Sequence, residues 1–154
     1  MLNKLTGCCL LALGSVAFSA CDQFGLEDWR GNGQPAPRPK IALTSPNMDA
    51  RQVVNGPPSR AIGTYAGLYD PQTNVLVSTI GYSVEPVLSA HLHRGQPGTN
   101  GPIVFSFPSL THPVGATVTL SEEDEVLLLN NGMYVDVHTP IFPQGELRGP
   151  VRRQ

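Results

Sequence analysis

Apolar and polar positions alternate with a period of two over several short segments beyond residue 60, the mark of half-buried strands. Residues 62–69, rich in Gly, Thr and Tyr, form one such segment. Asp70-Pro71-Gln72-Thr73-Asn74 is turn chemistry. Residues 75–84 then place Leu76, Ile80 and Tyr82 on one face and Val75, Val77 and Thr79 on the other, which predicts a hairpin. Pro86 interrupts. Further strands are expected over 87–93, 102–107, 116–120, 133–139 and 145–150, with Ile103, Phe105 and Phe107 sharing a core face. One helix is expected between them. Ser121 can cap it, Glu122, Glu123 and Asp124 suit the positive end of its dipole, and Gly132 suits a left-handed stop. The expected fold is all-β, an antiparallel Greek-key-like β-sandwich or barrel with one short helix.

The N-terminal part carries a different pattern. Asn3 and Lys4 precede an apolar run over 10–18 that is too short for a permanent membrane span. Small residues follow, as in a secretory signal. Phe18-Ser19-Ala20-Cys21 resembles a bacterial lipobox, in which the cysteine becomes the lipidated first residue of the mature chain. Cleavage near Ala20 without lipidation is the alternative. Pro and Gly then punctuate the chain to about residue 53, without periodicity. The expected organisation is a signal over 1–20, a lipidated Cys21 and tether over 21–57, and a β domain over 58–154. The expected location is the cell envelope, periplasmic or outer-surface, with the membrane as a partner through lipid on Cys21.

Composition narrows the function. With 154 residues there is room for one domain, and a net charge of -2 with scattered Lys and Arg gives no footprint for nucleic acid. Cys8 and Cys9 would leave with the signal, so the mature chain has no internal disulfide, and a thioether to lipid accounts for Cys21. No Ser/His/Asp triad, mature nucleophilic cysteine or phosphate loop is present, so no catalytic residue is assigned.

The histidines carry the remaining chemistry. Strand alternation sets Ala90 and Leu92 on one side of a strand and His91 and His93 on the other. It likewise separates Val135 and Val137 from Tyr134, Asp136 and His138, and Leu147 from Glu146 and Arg148. The polar set is expected on the outer face. A His-x-His pair places two imidazoles about 7 Å apart at the backbone, close enough to share an ion. His138 would add a third ligand and Glu146 a fourth ligand or an orienting partner, suiting zinc or copper. The competing arrangement is a hydrogen-bonded network of the same histidines with Asp136, Glu146 or backbone carbonyls. His112, beside Pro113, reads as surface.

The segments AHLHRGQPGTNGPIVFSF, NNGMYVDVHT and GELRGPV together resemble the chordin-type CHRD domain. The resemblance rests on Ala90, His91, His93, Asn100, Gly101, Pro102 and Val104, then Tyr134, Val135, Val137, His138 and Thr139, then Gly145, Glu146, Arg148 and Gly149. Asp136 stands where the pattern has Asn, and Leu147 where it has Ile. The resemblance implies an extracytoplasmic β-sandwich and no known reaction. The His-apolar-His strand is also similar to the copper strands of copper/zinc superoxide dismutases, but four histidines and no mature disulfide fall short of that enzyme's sites. Three readings follow: a lipid-anchored binding or structural module with a protein or envelope partner, a copper- or zinc-binding protein, and a metalloenzyme using the same histidines. The sequence sets no oligomeric state.

Overall fold

The structure, a computed structural model, describes residues 36–154. The expected signal, Cys21 and the front of the expected tether lie outside the described residues. The described residues form eight strands: β1 (Ile41–Asp49), β2 (Ile62–Asp70), β3 (Val75–Tyr82), β4 (Ser89–Arg94), β5 (Ile103–Ser106), β6 (Val114–Thr119), β7 (Met133–His138) and β8 (Leu147–Arg153). Helix α1 (Glu122–Leu129) lies between β6 and β7. All strand pairs are antiparallel, in the order β5-β4-β7-β8-β1-β2-β3-β6, and the sheet curls into a nearly closed barrel. β1, β2 and β3 form a meander. The chain then crosses to β4 and β5 at the far edge, returns with β6 beside β3, and inserts β7 between β4 and β8. The expected all-β antiparallel architecture with one short helix is what the chain forms.

Alternation decides the core. Leu76 and Ile80 of β3, Ala90 and Leu92 of β4, Val135 and Val137 of β7, and Leu147 and Val151 of β8 are buried together. Tyr65 and Ser78 also point inward, where their hydroxyls hydrogen-bond to each other at 2.9 Å. A buried hydroxyl needs such a partner.

Two bulges account for two departures. β1 falls inside the stretch expected to be tether, yet it is a central strand between β8 and β2. Its pairing with β2 shifts register between Ser45 and Met48. The bulge absorbs Pro46 and Asn47, so Leu43 and Ser45 before it and Met48 after it all reach the core. Proline is tolerated in a strand at such a point, and the broken alternation hides the strand from a period-two reading. In β5, Leu92 opposes Phe105 but His93 opposes Ile103, so Val104 is an extra residue. Ile103 therefore leaves the core face and is 53% exposed, contrary to its expected place beside Phe105 and Phe107.

Helix α1 begins as its sequence suggests. The Ser121 hydroxyl accepts from Asp124 N at 3.1 Å, and the first turn holds four acidic residues. It ends at Leu129, before the expected stop, but the left-handed residue comes one position earlier than expected. Asn131, not Gly132, takes the left-handed conformation at φ 57°. Gly132 N then donates to Leu127 O and Asn131 N to Leu128 O, the Schellman closure.

Candidate metal centre

Pairing registers bring one polar row across the outer face. His91 opposes Asp136, Asp136 opposes Arg148, and Arg148 opposes Asp49. His93 opposes Tyr134 and Ser89 opposes His138, flanking that row. The face was expected to be outer, and by alternation it is, but it is not open. Asp136, His93, Glu146 and Arg148 are all buried. The 95–101 loop covers it at one side, as Arg148 Nη1 donates to Thr99 O at 2.9 Å and Nη2 to Asn100 Oδ1 at 2.8 Å. Arg148 and His93 find partners in that cover, His93 through Gly101 O, while Asp136 meets the histidines and Glu146 meets hydroxyls.

Asp136 is the hub of the site. His91 Nδ1 lies 3.3 Å from its Oδ1, His93 Nε2 3.1 Å and His138 Nε2 3.0 Å. One donor atom from each of His91, His93, Asp136 and His138 falls in a group spanning no more than 4.8 Å. The rings pack edge to face, His91 against His93 at 5.5 Å and against His138 at 4.9 Å between centroids.

Backbone carbonyls set two of the tautomers. His93 Nδ1 is 2.9 Å from Gly101 O, and His138 Nδ1 is 3.0 Å from Pro143 O. A carbonyl only accepts, so both Nδ1 atoms carry protons and the neutral rings turn the lone pair of Nε2 toward Asp136. His138 Nε2 is buried without a hydrogen-bond partner among the described residues, although Asp136 Oδ1 lies 3.0 Å away. Two lone pairs aimed at a carboxylate repel it unless a proton or a metal ion lies between them. An imidazole whose second nitrogen donates to a carbonyl is also the usual dress of a metal ligand. The donor set suits the ion: three imidazoles and a carboxylate, with no thiolate, fit zinc(II) or copper(II). Bonds near 2.1 Å at tetrahedral angles require donors about 3.4 Å apart, so the widest pair would have to close by about 1.4 Å to hold such an ion.

The electrostatics follow from this crowding. Burial pushes the Asp136 carboxyl up, but contacts from His138 and His93 outweigh it and hold the group below the usual carboxylate range. Burial pulls His138 down, and the Asp136 carboxylate more than offsets that, leaving it raised. His91 is lowered, mainly by burial and further by His138, against the pull of Asp136.

Of the residues singled out by sequence, His91, His93 and His138 come together. Glu146 does not join them. Its Oε1 accepts from Ser59 Oγ and its Oε2 from Thr139 Oγ1, both at 2.6 Å. Both oxygens are engaged by hydroxyls, and Glu146 ties the 57–60 segment to the 139–146 loop. The fourth residue of the group is Asp136, which alternation had already placed on the face of His138. His112 stands apart, edge-on to Tyr82 at 5.1 Å.

Fold and site together define a small antiparallel β-barrel domain with a buried His/Asp cluster under its loops. The CHRD domain family model matches residues 44–151, and the chain belongs to that family. The match begins inside β1, which the sequence reading had left out of the domain. No match is found among curated proteins or among solved structures.

Proposed function

We propose that this CHRD domain is a binding module whose ligand is one zinc or copper ion, held by His91, His93, His138 and Asp136, and that lipid on Cys21 fixes it to the cell envelope. The observation that carries the metal reading is the pair of carbonyl-locked tautomers, which leave two buried Nε2 lone pairs facing one carboxylate. A four-donor protein set closes the coordination of a tetrahedral ion. That supports a holding or structural role over catalysis, which keeps a position open for water or substrate. The envelope location rests on the lipobox-like Cys21 and the Pro/Gly-rich segment after it.

The test is metal binding by the purified full chain, followed by calorimetry and native mass spectrometry after chelator treatment. One zinc or copper ion per chain is expected. Asp136→Asn and His138→Ala should each weaken binding by about 100-fold or more, at or beyond the upper end of the loss expected for an outer-shell partner alone. His112→Ala should leave it unchanged. Sub-stoichiometric binding, or affinity indifferent to His91→Ala, would overturn the reading and leave a hydrogen-bonded network centred on Asp136.

A further inference from the structure

A second unusual group lies two residues after Glu146. Arg148 is only 5% exposed. A buried charge is ordinarily paired with an opposite one, yet among the described residues no carboxylate forms an ion pair with Arg148. Its compensation is all neutral: the Thr99 carbonyl, the Asn100 side-chain oxygen and the ring of Tyr134, 4.0 Å from the guanidinium carbon. Its Nε–H is buried and has no partner at all. A buried donor left unmade is costly and calls for a reason.

Arg148 also lines a cleft of about 310 Å³ between the 3-10 turn after β1 and the 95–101 loop. Tyr134 and Pro150 line the cleft with it, Val54 and Pro97 add apolar surface, and Gln52 and Gln96 bring side-chain amides. No Asp or Glu lines it. Arg51 is there too, but its charge is already met by Asp49 at 2.7 Å.

We propose that this cleft binds a small organic carboxylate, with Arg148 as its counter-ion. The Nε–H edge of a guanidinium matches the two oxygens of a planar carboxylate, and because Nε is closed off from solvent a ligand in the cleft reaches it only as the cleft wall shifts. A single guanidinium suits a monoanion better than a phosphate dianion. The Val, Pro and Tyr surfaces suit an apolar group attached to the acid, and the volume lies at the lower end for small-molecule sites. The cleft adjoins the His/Asp cluster, since Arg148 opposes Asp136 and Tyr134 stacks on His93, but it shares none of the four donor residues and does not require a metal ion.

The experiment follows arginine side-chain and glutamine amide signals by NMR in the full chain, metal-free and zinc-loaded, during titration with benzoate, benzyl alcohol and inorganic phosphate. Benzoate should give a saturable shift of the Arg148 Nε–H and of the Gln52 and Gln96 amides in both metal states. Benzyl alcohol and phosphate should bind at least about tenfold more weakly, because each lacks either the charge or the planar fork. Val54→Trp fills the cleft without touching the bonds of Arg148 and should cost benzoate at least about tenfold. Arg148→Lys should do the same, and where its fold is damaged Val54→Trp decides. The proposal is overturned if benzoate gives no saturable shift, if benzyl alcohol or phosphate binds as well, or if Val54→Trp binds like the parent. Failure of zinc binding leaves the metal-free titration intact, so the two readings can fail separately.

Discussion

At the scale of single residues, the His/Asp cluster makes stability depend on pH in a way that distinguishes proton from metal. Asp136 is held below its ordinary pKa. Its contribution is therefore present above about pH 4 and is lost as pH falls through its depressed value. His138 is raised, so its contribution is complete below about pH 6.5 and is lost as pH rises through its folded value. His91 is lowered, and it favours the folded state above about pH 6.5, losing that as pH falls. His138 and Asp136 together give the metal-free chain an optimum on the acidic side of neutrality. A bound ion reverses the trend, because it needs deprotonated imidazoles and binds the folded chain alone. Melting temperatures with and without zinc should accordingly diverge as pH rises from 5 to 8, by several degrees at the upper end (~2 kcal/mol moves a domain of this size by about 5–10 °C). A zinc-dependent gain that is flat or shrinks over that range would speak for protons alone.

Which residues make the site was partly legible. Period-two alternation put His91 and His93 on one face and Asp136 and His138 on one face, and that holds because β4 and β7 pair without a bulge. Glu146, expected as a fourth ligand or an orienting partner, stands outside the cluster for a local reason. Glu146 lies just before β8, after Gly145 at φ 116°, where the chain turns and strand alternation does not yet apply. Its carboxylate faces two hydroxyls instead of the imidazoles. No sequence signal separates Asp136 from Glu146 on composition, but position within a regular strand does.

Element packing explains the rest of the difference between sequence and fold. β2 and β3 could be read directly, since they pair without register shifts over their whole length. β1 could not, because its bulge changes the phase of alternation at Pro46 and Asn47. The same bulge sets a demand on β8. A methyl group on Gly149 would come within 2.2 Å of Ser45 Oγ and 2.5 Å of Met48 Cγ. Gly149→Ala should therefore destabilise the domain by about 2–3 kcal/mol, the upper part of the range for overpacking, read as a lower denaturant midpoint. Ser45→Gly in the same chain removes the nearer clash and should recover part of that loss. Additive effects in the double variant would mean that the two strands do not press on each other at this point. Gly101 has a parallel demand in the 95–101 loop: a methyl there would overlap Arg94 O at 1.7 Å. Gly101 O also fixes the His93 tautomer, so loop packing and site chemistry share one residue.

Across the whole molecule, β1 separates two ends. At its start, Lys40 meets Asp70 at 3.5 Å, and Arg38 lies by Glu125 at 3.7 Å and donates to Pro71 O. These surface pairs add little stability, but they show where the chain joins the barrel. At the other end of β1, about 25 Å away, Asp49 joins the polar row that holds Asp136, and the 3-10 turn and 95–101 loop frame the cleft beside Arg148. Because the sheet begins at Ile41, about 20 residues remain between Cys21 and the barrel, a reach of at most ~60 Å. Cys21→Ser should move the protein from the membrane fraction to the soluble fraction of expressing cells. It should leave metal stoichiometry and melting temperature as they were, since anchor and site share no residue. A Cys21→Ser protein that stays with membranes would point to a different means of attachment. Loss of metal binding in the same variant would mean that Cys21 itself reaches the ion, against the all-nitrogen-and-oxygen donor set.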